Sequence, residues 1–445
     1  MTDPFRNRSR LLVSCGGAAL ALALATAATE RAQAQAFQAT PTEVVGQIDR
    51  TIDGPGVERI VVRDPVVVVD WQPDVDNNGN ALDFLPTGHV ATFTNDPINN
   101  SGQSFAILNR ILPSPQGNIA VIDGTVISRI INQDPSASGG GLATAGGLVA
   151  FYSPTGILVG GNAAFDVGQL LLTTLDPDVG SFSNFANGGN LALTGAAGST
   201  ARIQINPGAQ ILATPENAFF AVVAADIEMR GSALVNGSHA FVAGEVVNLS
   251  FSNGLFNISV PVGTAASGEV VTVDGTVGGP ASFESGDNHM IYGVAHAAAD
   301  PISMLFRGNL GFDPAASVDV VNGQIILSAN YNVSGEFVGG GFIGDGINAT
   351  FSGTPAQSDV RADIFIDDFE ASSSLLAIGT HRVQATAVNT ASSVAGNLLL
   401  VGNENAEIFA SNGQNFTVTG DLLLDARDYG VFGSGLQTLD MLDAQ

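Results

Sequence analysis

The chain has 445 residues, with 15 basic and 42 acidic side chains and a formal net charge of −27 at pH 7. The basic residues are all arginine, and so acidic a chain would repel nucleic acid and anionic lipid, leaving cations and basic or neutral partners. Charged residues make up 13% and hydrophobic ones 45%, which excludes a solvated disordered chain.

The first elements form a targeting signal. Arg6, Arg8 and Arg10 make a basic region, an apolar stretch runs from Leu11 to Ala28, and Ala34-Gln35-Ala36 supplies the small residues a signal peptidase reads. The order of these parts predicts a cleaved signal peptide over residues 1–36, cut after Ala36, rather than a retained anchor. Cys15, the only cysteine, lies within that signal near the start of the apolar stretch, most of which follows it, and not where a lipoprotein cysteine would stand. The mature chain therefore has no disulfides and no thiolate metal site.

Beyond Ala36 no amphipathic helix is expected. Short apolar runs are punctuated by Gly, Asn, Asp or Pro, as at Val66–Val69, Ile119–Ile127, Leu148–Tyr152, Ile203–Ile205, Ala218–Ala224, Phe241–Phe251 and Gln324–Leu327. The 54 glycines suit many strands joined by tight turns. Trp71–Asp83 is polar and turn-rich and is expected to leave the main body, and residues 134–147 are expected to form a loop. Gly168-Gln169-Leu170-Leu171-Leu172 recurs in similar form from Gly189, Gly308, Gly323, Gly396 and Gly420. A period in the twenties, as from 168 to 189 and from 396 to 420, predicts solenoid coils. No leucine-rich-repeat spacing or helical segment accompanies it, so the fold expected is all-β, a parallel β-helix with small β excursions. From Asp425 to Gln445 the coil pattern fades, and no final amphipathic strand suggests a membrane barrel.

Several constellations carry possible chemistry. Asp74, Asp76 and Asn78, followed by Gly79, have the spacing of the first half of a calcium loop, but the twelfth position is Leu85 where a bidentate Glu is needed; a solvated acidic turn is the better reading. Gly339-Gly340-Gly341-Phe342-Ile343-Gly344 has dinucleotide-binding spacing, yet no helix pattern follows to meet a pyrophosphate, so it reads as a glycine-rich corner. Asp363, Asp367, Asp368 and Glu370, near Arg361, are the densest acidic cluster. Alternation puts Asp363 and Asp367 on one strand face and Asp368 and Glu370 on the other. The five histidines are scattered; Glu284, Asp287 and His289 lie close together but lack a fourth ligand. Trp71, with Phe84 nearby, reads as a core aromatic rather than a sugar platform.

Residues 105–174 resemble the haemagglutination-activity domain of two-partner secretion exoproteins, the filamentous-haemagglutinin family. Asn109-Arg110-Ile111-Leu112 resembles that family's Asn-Arg element, and Ile122-Asp123-Gly124-Thr125-Val126 its following turn and strand. Leu148–Tyr152 leads into Ser153-Pro154-Thr155-Gly156-Ile157, similar to the family's Asn-Pro-Asn-Gly-Ile motif, and Ala163–Gly168 resembles the usual continuation. Ser153 and Thr155 replace two asparagines that favour positive φ, so the turn is expected to rest on Pro154 and Gly156. The resemblance implies a capped right-handed β-helix over 37–260, with continuing coils over 261–445. It also implies export through the periplasm and an outer-membrane partner barrel, with the N-terminal domain as secretion signal and folding nucleus. An adhesin-type role on the cell surface or in the medium follows, with a host or neighbouring-cell surface as ligand, no catalytic residue and no resident cofactor. One competing reading is a β-helix polysaccharide lyase or hydrolase using the acids of 363–370; an enzyme should lose turnover on Asp367→Ala, whereas an adhesin should tolerate it. Another is that the chain is the secretion-signal piece of a longer exoprotein.

Overall fold

The computed structural model describes residues 35–133, 142–280, 288–313, 324–334, 350–352 and 360–426. The expectations for the leader through Ala34, for Glu284 and Asp287, for Gly339–Gly344 and for the chain beyond Ala426 lie outside these residues. Among the described residues no helix is long and apolar enough to cross a membrane.

The chain winds into a parallel β-helix whose strands stack rung on rung along three faces. Strand pairing on the first face runs Val69, Asn109, Phe151, Leu172, Val222, Phe241, Gly293, Leu327, Ala377, Leu400 and Leu424, each beside the next. A second column runs Ile122, Val159, Ile205, Met229, Val273, Phe306, Ile366, Ala385 and Ile408. The third starts at Glu58 and continues through Ala91, Val126, Phe165, Ile211, Ala233, Val277, Leu310, Ala371, Val394 and Val418. Nearly every side chain in these columns faces one continuous apolar core. Stacking like on like is what makes a solenoid cohere, because each coil can bury its apolar side only against its neighbours.

The repeat is partly coil and partly coincidence. Leu172, Leu327, Leu400 and Leu424 share the first column, and Leu375 pairs with Leu398 and Leu398 with Leu422, at spacings of 23 and 24 residues. The segment at 189–193, by contrast, lies in a separate antiparallel sheet, and Leu310 lies in the third column. The 21-residue spacing from 168 to 189 is therefore not one coil: Leu172 is followed in its column by Val222.

That separate sheet comprises Asp176–Pro177, Asn190–Thr194, Val246–Ser252, Leu255–Val262, Asn332–Ser334 and Thr350–Ser352. It packs Leu191, Leu193, Leu249, Phe256 and Ile258 with Phe219, Val223, Val242 and Tyr292 of the first face, making a second core. First-face strands are thus covered on both sides, so Leu148–Tyr152 is buried at every position and reads as a continuous apolar run, as expected of a strand sandwiched between layers. The run Phe241–Phe251 divides: Ser232–Ala243 stays in the solenoid, and Val246–Ser252 leaves it for the hairpin.

Two local expectations are corrected. A short helix, α1 (Val179–Phe185), sits between two excursion strands, N-capped by Asp178, whose carboxylate accepts from Ser181 N–H at 2.7 Å. Its seven residues are too few to show a period. It exists because the cap satisfies an end donor and Phe182 and Phe185 reach the second core. Within the expected loop, Leu142–Ala145 forms a strand antiparallel to Arg129–Asn132, the far end of Thr125–Asn132 that outruns the strands of the neighbouring rungs and would otherwise present an unpaired edge.

The N-terminal end is closed by antiparallel pairing. Ala39–Val45 lies along Val66–Pro73, and Ile48–Gly54 forms a hairpin with Val57–Val62. Phe37 plugs the opening, its ring 4.5 Å from Phe84, 5.0 Å from Trp71 and 6.3 Å from Phe151. Trp71 still belongs to the first-face strand, and the polar excursion begins only beyond Pro73.

Candidate functional site

Asn109 and Arg110 are neighbours on Ala106–Ile111, and the pleat sends them to opposite sides. Asn109 faces inward and is fully buried, the one polar side chain in its column. Its carbonyl oxygen accepts from Trp71 Nε1–H at 3.0 Å, and its amide donates to Ala150 O at 3.1 Å. One side chain therefore ties Trp71 of the rung below to the rung above. Arg110 faces outward. It lies in register with Asp70 on one side and Tyr152 on the other, 3.4 Å from the Asp70 carboxylate and 3.8 Å from that of Asp176. Burial, reinforced by Asp176, pushes the Tyr152 phenol up to about 12. Burial also raises the Asp176 carboxyl, with Arg110 opposing.

The turn at Ser153–Gly156 follows directly from Tyr152, so it adjoins Arg110 across one rung. Gly156 adopts φ +110, and a Cβ there would meet Arg202 O at 2.8 Å. Gly156 N–H donates to Ser153 O at 3.2 Å, and Ile157 returns to the core beside Ala120 and Ile203. The hydroxyls that stand in place of asparagines take part: Ser153 Oγ lies 3.2 Å from Thr155 Oγ1, which donates to Asn118 O in the coil below at 2.8 Å. Of Pro154 and Gly156, on which the turn is expected to rest, Gly156 takes the positive φ, and a hydroxyl pair that the motif alone did not suggest also holds the turn. Sequence reading missed Asp70, Tyr152, Asp176 and Asn118 as partners, since the strand register and coil packing that bring them together leave no local mark.

The other constellations resolve into structural roles. Asp76 Oδ1 accepts from the N–H groups of Asn78 and Asn80 at 2.8 Å each, and Oδ2 accepts from the Asn80 amide at 3.0 Å. The Asn80 hydrogen bonds hold the Asp76 carboxyl below its ordinary range. The Asp76 carboxylate, third in the would-be calcium loop, is committed to its own turn, and Leu85 at position twelve is fully buried in the core. Among the described residues no group of three or more His, Cys, Asp or Glu could hold a metal ion.

Asp363, Asp367 and Asp368 are each engaged separately. Asp363 accepts from Arg361 Nε–H at 2.8 Å and His381 Nδ1–H at 2.6 Å, and His381 Nε2 lies 2.5 Å from Glu404. Asp367 pairs with Arg307 at 2.7 Å. Asp363 and Asp367 do share an outward face, but alternation fails at Asp368, which takes φ 50 at a solenoid corner. There its carboxylate caps the N–H groups of Val388, Asn389 and Thr390 at 2.7–3.2 Å. Burial raises its pKa, but these donors outweigh it and the net shift is downward. Glu370 consequently points outward from the next face, beside Ser393. His289 donates to Glu216 at 2.8 Å and lies 2.9 Å from Pro280 O.

No family model matches the chain, and no curated protein matches it. Among solved structures, it is similar to the HMW1 secretion domain from Haemophilus influenzae, with a TM-score of 0.46 and 15% identity over 86% of this chain and 84% of that one. It is also similar to the filamentous hemagglutinin secretion domain, with a TM-score of 0.38 and 15% identity over 85% of this chain and 99% of that one.

Proposed function

We propose that this chain is a two-partner secretion exoprotein, exported through the periplasm and a partner outer-membrane β-barrel. Its capped N-terminal coils serve as secretion signal and folding nucleus, and its later coils present an adhesive surface to a host or neighbouring cell. The observation that carries the reading is the convergence of the two motif segments on adjoining rungs next to the cap. Asn109 locks the rungs from inside, while Arg110 faces outward beside Tyr152, from which the Ser153–Gly156 turn continues. A chain without cysteines beyond its leader stays threadable before export, and coils that contact chiefly their neighbours can add one by one to a folded end.

The test is co-expression with a candidate two-partner transporter, measuring protease-resistant protein at the cell surface and in the medium. Export is expected only with the transporter, and Arg110→Gln is expected to lower it about tenfold while the melting temperature of the purified protein stays near wild type. Equal export with and without the transporter would overturn the reading.

A further inference from the structure

We propose that the leader is cut after Ala34, not after Ala36, so that Gln35 and Ala36 belong to the mature protein and complete its cap. This rests on the export reading above. Ala36 and Phe37 are both fully buried, and Gln35 is half-buried. Ala36 N–H donates to Glu58 Oε2 at 3.2 Å, and the His89 ring Nδ1 lies 3.2 Å from Ala36 O. Gln35 Oε1 accepts from Arg50 Nη2 at 3.0 Å, and Gln35 O accepts from the Gln38 amide at 3.2 Å.

The centre of this arrangement is Glu58. It is a fully buried carboxylate at the foot of the third column, where every later rung places an apolar side chain or alanine. It is held by the Arg50 guanidinium, which also lies 5.1 Å above the Trp71 ring. A buried charge requires all its donors. A cut after Ala36 would remove the Ala36 amide and the Gln35 anchor of Arg50, and would place a new ammonium on a residue with no exposure. A cut after Ala34 places that ammonium on Gln35, at the edge. The peptidase has no reason to prefer the later bond, since Ala32-Gln33-Ala34 offers the same small residues at the two positions read as Ala34-Gln35-Ala36 does.

The full chain would be expressed with its own leader in a Gram-negative host, and the N-terminal peptide of the periplasmic or exported protein identified by mass spectrometry. A first residue of Gln35, as such or cyclised with loss of ammonia, is expected. A first residue of Phe37 overturns this inference and leaves the export reading intact, whereas an uncut chain overturns both. Mature chains beginning at Gln35 and at Phe37, released from a fusion that leaves no extra residue, would also be compared. The shorter chain is expected to melt lower and to lose amide protection along Val57–Val62; equal melting and protection would overturn the cap role of the two residues.

Discussion

Asn109 shows how one residue can look like a recognition motif and act as a joint. Its two hydrogen bonds are made in the core, so Asn109→Ala strands the Trp71 indole N–H and the Ala150 carbonyl, and should cost about 2–4 kcal/mol. His239 is a second buried polar residue with a measurable consequence. Its Nε2–H donates to Gly278 O at 2.9 Å, while Nδ1 has no partner in the core. Burial lowers its pKa to about 4, with His289 acting in the same direction against the Gly278 hydrogen bond. Unfolded, it titrates near 6.5; folded, it resists protonation, so the unfolded state binds more protons between those values. Its contribution is thus complete above pH 6.5 and is lost as pH falls towards 4, by about 3 kcal/mol. Asp74, Asp176 and Asp226 have raised values and act in the opposite sense on acidification. The effect is therefore read as a difference: His239→Gln should flatten the pH dependence of the denaturation midpoint between 6.5 and 4, and an unchanged slope would refute it.

At the scale of elements, the excursion hairpin joins Val246–Ser252 to Leu255–Val262 through Asn253 and Gly254, at φ 50 and 77. Such a two-residue loop suits the twist of antiparallel strands. At Gly254 a Cβ would meet Asn288 O at 2.3 Å. Gly254→Val should therefore lower stability by about 1–3 kcal/mol and speed hydrogen exchange in the hairpin before the solenoid. Asn253-Gly254 carries a local hairpin signal that sequence reading did not single out, and its sheet leaves no local mark at all: Asn190–Thr194 pairs with Val246–Ser252 across more than fifty residues. The same distance hid the cluster around Arg110, which Asp70 meets through strand register and Asp176 through the packing of the excursion sheet on the first face.

The whole molecule is a one-dimensional stack, so stability should vary along it rather than be shared evenly. Leu170–Leu172 is fully buried between the two cores, whereas Leu422, Leu423 and Leu424 are only half-buried. Native-state hydrogen exchange should therefore show strongest protection from Gln169–Thr173 to Ile291–Ala295, falling towards Leu422–Ala426. Uniform protection would mean a single cooperative unit.

The sequence by itself determined the strand-rich class, the coil period near the C-terminal rungs and the inward columns of Val, Ile, Leu and Phe. Each of these follows from local residue preference and apolar spacing. Only the tertiary structure decided that the 168–189 spacing is not a coil, that α1 forms, that Asn109 points inward while Arg110 points outward, and that Asp368 turns a corner. These depend on which coil lies against which, and burial of a shared face, unlike strand propensity, is a property of neighbours distant in the chain.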